Sequence, residues 1–178
     1  MEDAADLAPE QLRALDLLTK VPALAGYYLA GGTAIALHLH HRQSRDLDFF
    51  SLENSASIES MRQHLATELA QFSVISESEV TLSLLVANTP VDFVAYPYPT
   101  LEAPLETGQG CKVAGLKDLA VMKLAAVSKR GIRRDFWDLH EILTRSPLTL
   151  SESLSLYRKR FGLKQADSYH VLRSLTYF

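Results

Sequence analysis

Apolar positions along the chain change their period twice, and the changes divide it. Leu12, Leu15 and Leu18 recur at helical spacing behind Pro9 and Glu10, so residues 9–20 are predicted as a first helix. Gly26-Tyr27-Tyr28-Leu29-Ala30 has strand character and stops at the pair Gly31-Gly32. A helix is expected from Thr33 to about His41, then a strand through Asp46, Leu47, Asp48 and Phe49. Ser57 suits the N-cap of a helix through Met61, Leu65 and Leu69. Strands follow at 72–75, 80–86 and 91–96, with Asn88-Thr89-Pro90 as the turn before the last. Residues 97–112 contain Pro97, Pro99, Pro104, Gly108 and Gly110; strands are expected to end there, in a linker.

From Leu116 the period is helical. One helix carries the stripe Leu116, Leu119, Ala120, Lys123, Leu124 and Val127, and Gly131 closes it. A second spans 133–143 with Phe136, Leu139 and Leu143 as its buried face. A third, capped by Ser151, runs through Leu154, Tyr157 and Phe161, and residues 167–178 read as a short helix or docking tail. The pattern therefore predicts an α/β (α+β) core over 1–100 and a C-terminal helical region over 113–178 packed on it.

Composition narrows the setting. With 178 residues and 47% apolar content, the chain has enough material for a buried core. A single cysteine, Cys111, excludes an internal disulfide and a Cys-based zinc site, which fits a reducing compartment. The acidic start Met1-Glu2-Asp3 is unlike a signal peptide, and no apolar run is long enough to span a bilayer, so a cytoplasmic protein without membrane attachment is expected. Charge is uneven: residues 1–111 hold 5 basic and 15 acidic side chains, and residues 112–164 hold 12 basic and 5 acidic. Opposite charge helps two parts dock, and a basic half also suits phosphate; both readings stay open.

The candidate chemistry lies where the first period change occurs. In a strand, Asp46 and Asp48 share one face. Two carboxylates side by side repel unless a cation lies between them, and Mg²⁺ (or Mn²⁺), which prefers oxygen ligands and leaves room for substrate phosphates, meets that need. Asp92, alone among apolar residues of a later strand, is costly there unless partnered and reads as a third carboxylate; the alternative is an edge-strand acid facing solvent. Gly31 and Gly32 let a phosphate approach the backbone, and Thr33 lies near a helix start, where free N–H groups favour anions. Lys123 interrupts an apolar stripe and either snorkels to its edge or meets an anion. Lys129, Arg130, Arg133 and Arg134 either bind phosphate or pair with Asp135 and Asp138. His38, His40 and His41 lack partners at zinc-ligand spacing.

These residues, taken in order, resemble a known family. Gly31-Gly32-Thr33, Asp46-x-Asp48 and Asp92 resemble the DNA polymerase β-type nucleotidyltransferases. The longer motifs Leu29-Ala30-Gly31-Gly32-Thr33-Ala34, Ser44-x-Asp46-Leu47-Asp48-Phe49, Asp118-Leu119-x-x-x-Lys123-Leu124 and Arg134-Asp135-x-x-Asp138-Leu139 resemble the AbiEii/AbiGii toxin-like members. The resemblance implies a mixed-sheet nucleotidyltransferase core followed by helices. It also implies divalent metal on Asp46, Asp48 and Asp92, with Gly31, Gly32, Thr33, Arg42, Lys123 and Asp135 serving the nucleotide. The reaction implied is nucleotide transfer from an NTP to an RNA (tRNA-like) or protein hydroxyl, within a toxin–antitoxin or phage-defence system that supplies a cognate antitoxin. A non-catalytic nucleotide-binding regulatory module with the same pocket is the alternative. A phosphatase or glycosyltransferase DxD fits less well: His41-Arg42-Gln43-Ser44-Arg45 is not an apolar lead-in, and a glycosyltransferase would need neither the glycine pair nor Asp92.

Overall fold

The computed structural model describes residues 7–52, 57–164 and 168–176, which form two compact units. The first unit takes residues up to 99 together with 104–114; the second takes 100–103 and everything from 115 onward.

In the first unit α1 (Pro9–Leu18) leads through a 3-10 turn (Pro22–Gly26) into β1 (Tyr27–Ala30), then α2 (Gly31–Leu39), β2 (Leu47–Ser51) and α3 (Ile58–Glu68). The strands β3 (Ser73–Glu77), β4 (Thr81–Val86), β5 (Thr89–Val94), β6 (Leu105–Glu106) and β7 (Lys112–Val113) follow. All seven strands make one mixed sheet, in the order β3-β4-β5-β2-β1-β7-β6. β2 runs parallel to β5 and antiparallel to β1, while β1 runs parallel to β7.

Strict alternation explains the faces of the central strands. Leu47, Phe49, Leu82, Leu84, Val91 and Phe93 are fully buried on one side, where Phe49 stacks on Phe93 at 5.3 Å. Asp48 and Phe50 on β2, with Asp92 and Val94 on β5, occupy the other side and are only partly covered. Ser57 caps α3 as predicted, its hydroxyl accepting from Ser60 N at 3.3 Å.

Four details differ from the sequence reading in this unit, the first being that Asp46, expected within the strand beside Asp48, lies just outside β2. The β4–β5 turn is Ala87-Asn88, both at positive φ, a two-residue hairpin turn whose twist matches its strands; Thr89 and Pro90 already belong to β5. Residues 97–112 do not end the strands: β6 and β7 lie there and extend the sheet beyond β1. α2 stops at Leu39 because His40 adopts the left-handed conformation at its C-cap, so His41 lies outside the helix.

The second unit is helical: α4 (Leu116–Lys129), α5 (Arg133–Arg145), α6 (Leu150–Phe161) and α7 (Tyr169–Leu175), with α4 packed against the other three. α6 is capped by Thr149 rather than Ser151, in a reciprocal box with Glu152. Of the predicted C-terminal stretch, Asp167 and the last two residues lie outside the described residues. On α5 the buried face is Asp135, Asp138, Leu139 and Ile142, rotated from the expected Phe136, Leu139 and Leu143. The rotation follows from Lys123, whose buried ammonium gives two carboxylates a reason to face inward. Arg160 of α6, too, is turned inward: it is buried and donates to Asp118 Oδ1 at 2.7 Å. Asp118 also accepts the backbone N–H groups of Leu101 and Glu102, tying 100–103 to α4.

Candidate active site

The site is built where β1 ends and two strands bring acids alongside. Parallel pairing of β2 with β5 sets Asp48 opposite Asp92, and antiparallel pairing of β1 with β2 sets Ala30 opposite Asp48 on the other flank. On the far side of Asp92, Ser83 of β4 occupies the same row. Thus two of the three predicted acids are neighbours by register alone, on the half-exposed face. The Asp92 carboxylate has no hydrogen-bond or ion-pair partner among the described residues.

Gly31 takes φ +64°, and a Cβ placed on it would collide with the carboxylate of Asp48. The glycine therefore does two things: it permits the left-handed turn from β1 into α2, and it leaves space for the acid. Gly32 is crowded in the same sense by Arg42, whose guanidinium lies over it, and by Ser44 Oγ, 3.0 Å from where a Cβ would be.

Asp46, just before β2, is held by its surroundings. Thr33 donates its hydroxyl to the Asp46 carbonyl, and the buried Gln11 side-chain amide reaches both Thr33 Oγ1 and that carbonyl at 3.5 Å. Ser44 donates to Asp46 Oδ1 at 2.8 Å. Gln11 is not marked by the sequence, and Ser44 appears there only as a motif position without a role. A polar residue one position from an apolar stripe gives no warning that it is buried, although the Ser44-x-Asp46 spacing is that of a local side-chain hydrogen bond.

Lys123 and Asp135 belong to the second unit, where Lys123 Nζ lies 2.9 Å from Asp135 Oδ1 and 2.8 Å from Asp138 Oδ2. Arg130 adds a two-pronged contact to Asp135, Nε to Oδ2 at 2.7 Å and Nη2 to Oδ1 at 2.9 Å. Burial pushes the Asp135 carboxyl up, but the hydrogen bonds from Arg130 and Lys123 and their charges outweigh it and hold it below its ordinary range.

As a metal site the donor set is chemically apt, since carboxylate oxygens across adjacent strands suit a hard cation. Among the described residues no three His, Cys, Asp or Glu side chains converge into a ready cluster.

A mixed sheet with acids in register at its half-exposed face, entered through a glycine turn, defines the nucleotidyltransferase class of fold. Solved structures agree. The antibiotic-resistance factor ANT(2'')-Ia in solution superposes with a TM-score of 0.56 at 16% identity, covering 89% of this chain and 97% of that one. An antigenic nucleotidyltransferase-like protein from Paracoccidioides brasiliensis gives 0.56 at 16% identity, covering 96% and 95%. In sequence, an uncharacterised protein of Aquifex aeolicus (strain VF5), aq_aa25, is 32% identical over 173 residues, 97% of this chain and 83% of that protein. Residues 13–175 match the family described as "Nucleotidyl transferase AbiEii toxin, Type IV TA system". The chain belongs to this AbiEii family of nucleotidyltransferases. No helix among the described residues is long and apolar enough to cross a membrane.

Proposed function

We propose that this nucleotidyltransferase moves a nucleoside monophosphate from an NTP to a hydroxyl of an RNA (tRNA-like) or protein acceptor, as the toxin of a pair with a cognate antitoxin. The observation that carries the transfer reading is the register Asp48↔Asp92 beside the Cβ-free Gly31. Asp48 and Asp92, with Asp46, would hold Mg²⁺ or Mn²⁺. When bound, such ions polarise phosphoryl oxygens and neutralise the charge of departing pyrophosphate.

The chain's own residues have separable parts. Asp92 takes the proton of the acceptor hydroxyl as its oxygen attacks the α-phosphorus and the bond to the β-phosphate bridging oxygen breaks. Gly31, Gly32 and Thr33 offer backbone N–H groups of the first turn of α2 to phosphate, and Arg42 adds a guanidinium over the same turn. Thr33, Gln11 and Ser44 fix Asp46. Lys123 and Asp135 take the nucleotide role that the family motif implies, from within the ion pair they form with each other. The resemblance to a type IV toxin family supports the toxin part.

The test is incubation of the purified protein with each labelled NTP, Mg²⁺ and total tRNA. Label on RNA or on protein, lost in Asp48→Asn, is the expected result. NTP binding without any transferred label would favour the regulatory module and overturn the catalytic reading.

A further inference from the structure

Among the features that the transfer chemistry does not use, the exposed side of α5 stands out. Asp135, Asp138, Leu139 and Ile142 turn inward, so Arg133, Arg134, Trp137 and His140 are left exposed on the helix. Trp137 is the chain's only tryptophan and is 48% exposed, its indole 6.5 Å from the His140 ring. Packing does not call for it there. Lys129, at the last turn of α4, and Arg133 and Arg134 make no hydrogen bond or ion pair among the described residues, whereas nearby Arg130 is engaged by Asp135.

The two arginines also stand against local physics. They occupy the first turn of α5, the positive end of the helix dipole, where cations destabilise and acids are favoured. Unpaired cations at that end, followed one turn later by a bare aromatic face, make poor sense as structure and good sense as a surface for a flexible polyanion with flat bases. Arg133 to Trp137 is four residues, about 6 Å along a helix axis. That is within reach of one nucleotide whose phosphate meets a guanidinium while its base lies on the indole.

We propose that the face formed by Lys129, Arg133, Arg134, Trp137 and His140 binds a single-stranded segment of nucleic acid, the arginines and lysine meeting phosphates and Trp137 stacking a base. This deepens the reading of an RNA acceptor and rests on it for its purpose, but not for its test. Charge complementarity selects the polyanion; the exposed ring selects unpaired bases over a duplex, whose bases already stack on each other.

Having one tryptophan gives a direct readout. The full-length protein, without NTP or divalent metal, is titrated with a single-stranded oligoribonucleotide, the same sequence as a duplex, and polyglutamate. Indole emission should be quenched by the single strand at low salt, with affinity falling steeply as salt rises, and less by the duplex or polyglutamate. By anisotropy of the labelled single strand, Arg133→Gln/Arg134→Gln and Trp137→Ala should each weaken binding about tenfold or more. Unchanged affinity in both variants, quenching by polyglutamate equal to that by RNA, or equal affinity for the duplex would each overturn the proposal. Because no transfer is measured, a protein that binds RNA here but labels no acceptor defeats the transfer reading alone. One that labels protein or RNA without using this face defeats only the present inference.

Discussion

Asp48 and Asp92 stand beside each other across two parallel strands; Asp135 and Asp138 stand beside each other one turn apart on a helix. Both arrangements follow from regular backbone geometry, and both crowd two carboxylates. In the helical unit the crowding is resolved from within, by the buried Lys123 ammonium between the two acids and by Arg130 behind one of them. In the sheet unit Asp92 has no ionic partner in the described protein, and the pair lies on a half-exposed face with a glycine cleared in front of Asp48. A carboxylate pair with its own cation is a fastening. A pair in which one acid, Asp92, has no ionic partner in the described protein is open to a cation from outside, and the two are told apart by what surrounds them rather than by the acids themselves.

That contrast can be attacked directly. The largest effect is expected from Lys123→Met, which strands two buried carboxylates and should destabilise the fold by about 3–5 kcal/mol in urea unfolding. Adding Asp135→Asn and Asp138→Asn should recover part of the loss, and no recovery would mean that Lys123 is not there to neutralise them. Asp48→Asn and Asp92→Asn should do the opposite: transfer of label from NTP falls at least about a hundredfold while the unfolding midpoint stays near that of the parent chain. A large stability loss instead would make this pair a fastening too. Gly31→Ala should cost about 1–2 kcal/mol through its left-handed φ and lower transfer as well, by displacing the Asp48 carboxylate.

The smallest effect is on acid stability. The folded Asp135 titrates below its unfolded value, so its charged form stabilises the protein above about pH 4, and this contribution disappears as pH falls through the lower folded value. Urea midpoints measured from pH 6 down to pH 3 should fall in the parent and fall less in Asp135→Asn. A steeper fall in the variant would reverse the assigned sign.

The same contrast explains what could be read from the sequence. The acids of the sheet unit were legible because glycine pair, DxD and Asp92 are local signals, and alternation then fixes which face they share. Their exact pairing, Asp48 opposite Asp92, is a matter of register between strands more than forty residues apart and becomes visible only in the fold. In the helical unit the periodicity misplaced the buried face of α5, since a hydropathy pattern counts aspartate as outward and has no knowledge of a lysine on the preceding helix. Arg160 was hidden for the same reason: its partner Asp118 lies 42 positions away. β6 and β7 were missed because two-residue strands among prolines and glycines carry no period; β7 exists because β1 offers it an edge.

That last pairing matters for how the protein is made. β1 is complete at residue 30, but its parallel partner ends at residue 113. At synthesis rates of about 5–20 residues per second, a central strand of the sheet waits about 4–17 s with one side unpaired. During that interval the growing chain offers an open template to any extended segment nearby, so yield in a cell should depend on how fast, and how crowded, translation is over the stretch between the two strands.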